Sequence, residues 1–105
     1  MLTGLPPSVR IYVALGATDL RRSVDGLSVL VRAVLRLEPL SGHLFLVRSR
    51  RADRLKILVW DRSGFWVMYK RLERGTFAWP AGDGMGPVEL KAVDLMLLLS
   101  GVERG

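Results

Sequence analysis

The sequence lacks the residues on which several kinds of site depend. It contains no cysteine and one histidine, His43. Disulfides, thiolate metal ligands and a cysteine nucleophile are therefore excluded, and no second imidazole is present for a histidine-based metal site. No apolar run approaches the ~18–20 residues of a membrane span, and the N-terminal residues lack the pattern of a secretory signal. We expect a cytoplasmic protein with no membrane association and no cofactor.

Acidic residues are also scarce. Ten acids face sixteen basic residues, which gives a net charge of +6, and thirteen of the basic residues are arginine. Arginine suits bidentate phosphate contacts and stacking on bases, although a genome rich in G and C would produce the same bias. Residues 48–74 hold nine basic residues and three acids, so this segment carries the whole excess charge. Such clustering is typical of nucleic-acid binding.

The length of 105 residues predicts a single domain spanning residues 1–105, with residues 1–9 as an irregular lead-in. Strands are expected at 10–15, 43–48, 55–60 and 65–72, with short additional strands at 76–80 and 88–90. A helix is expected to begin after Ser23 and to end at Pro39, and a final helix is expected at about 92–99. The apolar stripe predicted for the first helix is Leu27, Leu30, Val31, Val34 and Leu37.

This order of elements predicts an α+β fold. The expected sheet is largely antiparallel and has four to six strands, with one long helix after the first strand and a C-terminal helix. Asp61 and Gly64 are placed to close a type I turn between the third and fourth strands. That turn would pair Trp60 with Phe65 and alternate side chains between two faces.

Both faces of this hairpin are apolar. The face with Ile57, Val59 and Met68 is expected to pack against the long helix. The face with Leu58 and Val67 grades into Lys56 and Tyr69, and its cover is left open between the C-terminal helix, a second protomer and a partner.

Basic residues and aromatic rings alternate around the hairpin, a composition that favours nucleic-acid contact. The arginines and lysines are expected to neutralise phosphates and the rings to stack on bases. The alternative is a purely structural role, in which the rings lie in the core and the arginines lie on a solvent-exposed face. The candidate nucleic-acid-binding residues are Arg48, Arg50, Arg51, Arg54, Lys70, Arg71, Arg74, Arg21, Arg22, Trp66, Tyr69 and Trp79.

Catalytic patterns have little support. No histidine lies in a recognisable triad motif, and the glycines at 82, 84 and 86 do not follow a strand and open a helix as a phosphate loop does. Two carboxylate sets loosely match metal-dependent nucleases, but their members suit turn and solvent positions equally well. The first set is Asp61 and Glu89 with Lys91. The second set is Asp53, Asp61 and Glu73. We predict no catalytic residues, no metal and no enzyme activity.

The chain resembles a known family over residues of about 9–102. The motifs that carry the resemblance are TDLRR at 18–22, DGL at 25–27, SGHLF at 41–45, RR at 50–51, DRLKIL at 53–58, WD at 60–61, GF at 64–65, YKRLERG at 69–75, Phe77, and WP at 79–80. They are similar to those of the TnpB accessory protein, encoded by the second open reading frame of bacterial insertion sequences of the sixty-six family. Ser23 and Val24 depart from the basic-glycine pair usual there, and Lys91 replaces a capping hydroxyl.

The resemblance implies a role in transposition beside a separate, larger transposase that carries out the strand-transfer chemistry. It supplies no catalytic residues. The implied partners are transposon-end DNA and the transposase subunit, and self-association is left open. The alternative is a protein-interaction module that docks the transposase through an apolar face without touching nucleic acid.

Overall fold

The computed structural model describes residues 4–103. Residues 1–3 of the predicted lead-in lie outside this range, and residues 4–9 contain no helix or strand. The elements in chain order are β1 (Ile11–Ala17), α1 (Val24–Ala33), a 3-10 turn (Pro39–Ser41), β2 (Leu44–Arg48), β3 (Arg54–Trp60), β4 (Phe65–Arg71), β5 (Val88–Leu90) and α2 (Ala92–Ser100).

The five strands form one mixed sheet in the order β4-β3-β2-β1-β5. The α+β class is confirmed, but the prediction of a largely antiparallel sheet is wrong, because the central strands β1 and β2 run parallel. Their register pairs Ile11 with Leu44 and Val13 with Leu46. A parallel pair needs a crossover connection, and the segment that contains α1 provides it.

The helix after β1 is shorter than predicted. It covers ten residues and ends at Ala33, well before Pro39. Arg36 adopts a left-handed conformation with φ of 60°, and this reverses the chain before the proline is reached. Val34, which was predicted to belong to the buried stripe, is therefore 43% exposed, and Leu35 is buried instead.

Each face of the sheet carries one helix. Leu27, Leu30 and Val31 of α1 pack with Phe45 and Leu58. On the opposite face, Leu95 and Leu98 of α2 pack with sheet residues that include Leu46, Leu55 and Ile57. The predicted assignment of the hairpin faces is thus wrong: the face with Ile57, Val59 and Met68 lies under α2, and the face with Leu58 and Val67 lies under α1. Because both faces are apolar, alternation alone did not distinguish them.

The register of the β3–β4 hairpin is as predicted, from Trp60 opposite Phe65 to Lys56 opposite Tyr69. The predicted turn type is wrong. Arg62 has φ of 81°, whereas a type I turn requires a negative value there. A positive φ at this position matches the twist of the two strands better, and the Asp61 carboxylate accepts hydrogen bonds from the Ser63 and Gly64 amides.

The segment after β4 is held by isolated backbone hydrogen bonds and buried side chains, not by a strand ladder; the Phe77 amide, for example, donates to the Ala52 carbonyl at 2.7 Å. The expected strand at 76–80 is absent, and Thr76 forms an isolated bridge with Val102. Phe77 is buried in the α2-side core. The short strand at 88–90 and the final helix are confirmed, and α2 begins directly after Lys91 without a side-chain cap. Within residues 4–103, neither α1 nor α2 has the length and apolar character needed to cross a membrane.

Candidate nucleic-acid interface

A concave surface with a volume of about 640 Å³ lies at the end of the sheet where β1, β2 and β4 finish and β3 begins. Four of its lining side chains are cationic, and one is a carboxylate. We call this surface the basic groove, and its lining residues are Thr18, Asp19, Leu20, Arg21, Ser49, Arg50, Arg54, Lys56 and Tyr69.

The parallel pairing of β1 and β2 creates the groove. The carboxyl ends of parallel strands meet at the same end of a sheet, so the segment after β1 comes beside the turn after β2. The Thr18 amide donates to the Arg48 carbonyl at 2.8 Å. The Arg48 guanidinium ties the two ends together, with bonds of 3.1 and 3.2 Å from Nη2 and Nε to the Leu15 carbonyl and further bonds to the Ser49 and Arg50 carbonyls.

Asp19 fixes the position of Arg21 on the α1 side of the groove. Its carboxylate accepts bonds from the Arg21 guanidinium, the shortest at 2.7 Å, and from the Arg21 amide at 3.0 Å. The Arg21 side chain, followed by its backbone amide, lowers the pKa of Asp19 from the ordinary 3.8 to about 2. The acid of the groove is thus paired with Arg21 and forms no salt bridge with the other three lining cations.

The open end of the hairpin supplies the opposite wall. Arg54, Lys56 and Tyr69 lie on the face that carries α1, and Tyr69 is 55% exposed. The Lys56 ammonium donates to the Arg22 carbonyl at 2.8 Å, which fixes the chain before α1 against β3. Arg71 pairs with Arg54 in the register and shares its face by strand alternation.

The turn between β2 and β3 presents Arg50 and Arg51. The Ser49 hydroxyl donates to the Asp53 carboxylate at 3.0 Å and accepts from the Arg54 amide at 3.1 Å. Ala52 completes the turn in the left-handed region, with φ of 57°. Both arginines of this turn are exposed, but Arg50 lines the groove and Arg51 does not.

Thr18 has an unusual environment in the groove. The residue is 8% exposed, and its hydroxyl is enclosed without a hydrogen-bond partner among residues 4–103. Buried hydroxyls are normally paired, since an unpaired one loses its bonds to water without replacement. Thr18 also lines a smaller hollow that adjoins the groove and is shared with Ala17, Asp19 and Arg50.

The structure gathers part of the predicted set and separates the rest. Arg21, Arg50, Arg54 and Tyr69 line the groove. Arg22 and Arg71 lie beside it: the Arg22 carbonyl holds Lys56, and Arg71 forms a salt bridge with Glu73 at 3.2 Å.

Other members of the set are occupied elsewhere. On the α2 side, Lys70 donates to the Leu99 carbonyl at 2.7 Å. Arg74 forms a salt bridge with Glu103 at 3.4 Å. The Trp79 indole donates to the Ala14 carbonyl at 2.8 Å, and the Trp66 indole donates to the Asp61 carboxylate at 2.6 Å. Arg48 is committed to backbone carbonyls, as described above.

Five residues that line the groove are outside the predicted binding set: Thr18, Asp19, Leu20, Ser49 and Lys56. Lys56 was paired with Tyr69 in the predicted register but was not placed in the binding set, although that pairing was a usable signal. Thr18 belongs to the TDLRR motif, but a buried hydroxyl without a partner leaves no trace in a sequence.

The carboxylates considered for nuclease chemistry serve other contacts. Asp61 closes the hairpin turn, Asp53 accepts from Ser49, and Glu89 pairs with Arg10 at 3.1 Å. In the part of the chain that the structure describes, no three acidic or histidine side chains cluster as metal ligands do.

A second surface lies on the outer side of α2. Val93, Met96 and Leu97 are 63%, 50% and 67% exposed, and Val102 beyond the helix is 47% exposed. The opposite side of α2 packs through Leu95 and Leu98, so this helix is apolar around most of its circumference.

The fold and groove define a small basic α+β protein whose mixed sheet presents a cationic surface at one end. Residues 9–105 match the family described as "IS66 Orf2 like protein", and the chain belongs to that family. Membership associates it with transposition as an accessory protein, as the sequence motifs indicated.

Two relatives from Sinorhizobium fredii (strain NBRC 101917 / NGR234) are similar over nearly the whole chain. "Uncharacterized protein y4hO" is 40% identical over 96 residues, which is 91% of this chain and 83% of the relative. "Uncharacterized protein y4jC" is 34% identical over 102 residues, which is 97% of this chain and 86% of the relative. No solved structure matches the chain significantly.

Proposed function

We propose that the chain is a non-catalytic accessory protein of DNA transposition that binds transposon-end DNA through the basic groove. The observation that carries the proposal is the meeting of two separate basic segments. Residues 18–21 and the hairpin's open end are far apart in the sequence, yet they line one surface. Phosphates are the ligands that such a group of arginine and lysine side chains binds best.

The electrostatics of the groove support this assignment. The Asp19 carboxylate is engaged by Arg21, while Arg50 forms no salt bridge within residues 4–103. Arg54 approaches Asp53 only at 3.8 Å, between Nε and Oδ1, and remains exposed. Cations without strong internal partners are available to an external anion.

The test is a titration of labelled transposon-end duplex, followed by fluorescence anisotropy across a salt series. With about four phosphate contacts, one for each lining cation, the affinity falls roughly 10²-fold between 50 and 200 mM salt. The Arg50→Ala/Arg54→Ala variant is expected to bind more weakly and to lower the slope of log affinity against log salt by about two.

The chain offers a control with the same loss of charge. Arg10 precedes β1 and Arg62 lies at the hairpin tip, so both are at the end of the sheet opposite the groove. The Arg10→Ala/Arg62→Ala variant is expected to keep most of the affinity and the slope. Equal losses in the two variants, or no binding of the wild type at 50 mM salt, would contradict DNA binding through the groove.

A second candidate function is the docking of the separate transposase. The observation that favours it is the exposed apolar side of α2, formed by Val93, Met96 and Leu97. The expected result is co-purification with the transposase that survives high salt and nuclease treatment. Leu97→Glu should abolish it, whereas Val29→Glu, on the exposed side of α1, should leave it intact. Co-purification lost on nuclease treatment would instead indicate a DNA bridge.

A further inference from the structure

We infer that the basic groove takes DNA as a single strand, with a phosphate at its Thr18–Arg50 side and an unpaired base on the Tyr69 ring. This inference rests on the proposed function and adds the form of the DNA. It is carried by two features at opposite sides of the groove, the unpaired hydroxyl and the exposed ring.

The Thr18 hydroxyl marks the phosphate position. It is enclosed and lacks a partner within residues 4–103, while the Thr18 amide is bound to the Arg48 carbonyl at 2.8 Å. The backbone is thus fixed, and rotation about χ1 moves the oxygen among its three staggered positions. A phosphate oxygen in the groove would give this hydroxyl the acceptor that the protein does not provide.

Arg50 supplies the charge at the same position. It lines the groove together with Thr18, and it also lines the adjoining hollow with Thr18 and Asp19. Asp19 would repel a phosphate, but its oxygens are turned to Arg21, whose Nη2 lies 2.7 Å from Oδ2. A planar guanidinium next to a hydroxyl donor is well suited to a tetrahedral oxyanion.

Tyr69 supplies the surface for a base. It is 55% exposed on β4, which is an edge strand, and it lines the groove directly opposite Lys56. In a duplex each base is already stacked on its neighbours, so a protein ring gains a stacking partner only when a base is unstacked. An exposed ring among cations therefore favours a single strand.

The spacing of the two features fits a short run of nucleotides. Thr18 follows β1 and Tyr69 lies in β4, three positions away in the sheet order. Neighbouring strands are separated by about 4.8 Å, so the two features are at least roughly 14 Å apart across the sheet, with a further offset along the strands. The bound phosphate and the stacked base therefore belong to different nucleotides of the same strand.

The experiment compares a labelled oligothymidine with a duplex of equal length, by anisotropy at low salt. The wild type is expected to bind the single strand more tightly. Tyr69→Leu should weaken single-strand binding about 5- to 100-fold and duplex binding much less, while Tyr69→Phe should keep the preference. Trp66→Leu is the matched control, since that ring is 52% exposed on the opposite face.

Thr18 is tested by one variant that keeps its volume and one that keeps its hydroxyl. Thr18→Val removes the hydroxyl and should weaken binding several-fold while leaving the unfolding midpoint unchanged or raised, because an unpaired buried group is lost. Thr18→Ser keeps the donor and should bind like the wild type. A lowered unfolding midpoint of Thr18→Val together with wild-type affinity would instead show a merely structural role for Thr18.

The outcomes separate the inference from the proposed function. Equal affinity for both DNA forms, together with no effect of Tyr69→Leu, overturns the single-strand inference and leaves DNA binding intact. No binding of either form overturns both. Wild-type affinity in Thr18→Val overturns the phosphate position, and tighter binding of an equal-length RNA overturns the assignment to DNA.

Discussion

The two faces of the β3–β4 hairpin differ in how they use their cations. On the α1 face, Arg54 and Lys56 border an open groove. On the α2 face, Lys70 donates to the Leu99 carbonyl at 2.7 Å, at the end of α2. These residues come from one basic stretch of sequence, and strand alternation divides them. Charge density along a sequence therefore overestimates a binding surface when the segment is a strand.

The largest expected effect concerns the two hydrophobic cores, one on each of these faces. Leu27 of α1 and Leu95 of α2 are each 1% exposed. Leu27→Ala and Leu95→Ala should each lower the free energy of unfolding by about 2–5 kcal/mol, from lost burial and the cavity left behind. Urea denaturation measures both. Val29→Ala and Leu97→Ala are controls at exposed positions of the same helices, and a Leu95→Ala cost as small as theirs would show that α2 is not part of the core.

The next effect compares two lysines, each donating to a backbone carbonyl. Lys56→Met should weaken DNA binding and lower the salt slope by about one. Lys70→Met should leave binding unchanged and lower the free energy of unfolding by about 1 kcal/mol, since the end of α2 loses a hydrogen bond. Anisotropy and urea denaturation are measured on both variants. Equal loss of affinity would mean that the α2 face also contacts DNA.

A smaller effect is expected at the hairpin tip. Arg62 holds a left-handed conformation with φ of 81°, which glycine adopts at little cost. Arg62→Gly should raise the free energy of unfolding by about 0.5–1 kcal/mol and leave DNA binding nearly unchanged. Arg62→Ala retains the unfavourable conformation and should bring no such gain. Thermal denaturation distinguishes the two variants.

The smallest effect is a titration. Asp19 has its pKa lowered to about 2, mainly by the Arg21 side chain. A lowered pKa means that the pairing stabilises the fold above the unfolded pKa of roughly 3.9 and is lost as the pH falls toward 2. NMR of the carboxyl carbons should give this midpoint, and Arg21→Ala should move it upward. A midpoint near the ordinary value in the wild type would mean that Asp19 is free to repel phosphate.

The hairpin was predictable because its signals are local. Asp61 and Gly64 bracket the reversal, and alternation of apolar residues on both sides fixes the pairing. The type of turn could not be predicted, because Arg62 adopts a left-handed conformation that a side chain disfavours. The end of α1 was missed for the same reason, since Arg36 takes the left-handed position at which glycine is usual.

The groove depended on information that local patterns do not carry. Residues 18–22 and the basic hairpin were both identified, but only the parallel pairing of β1 with β2 brings them together. In an antiparallel pairing the end of β1 would have lain near His43, at the start of β2. The apolar pattern of these strands fits either direction, because both of their faces are buried.

The position of β4 at the edge of the sheet has a consequence for how the protein behaves in solution. An edge strand of seven residues presents unpaired backbone groups to which another chain can add. Lys70 and Arg71 are the last two residues of β4 and point to opposite faces of the sheet. Charged side chains on an edge strand discourage such pairing. Neutralising the end of β4 would therefore promote aggregation, so light scattering belongs beside every binding measurement on variants of this strand.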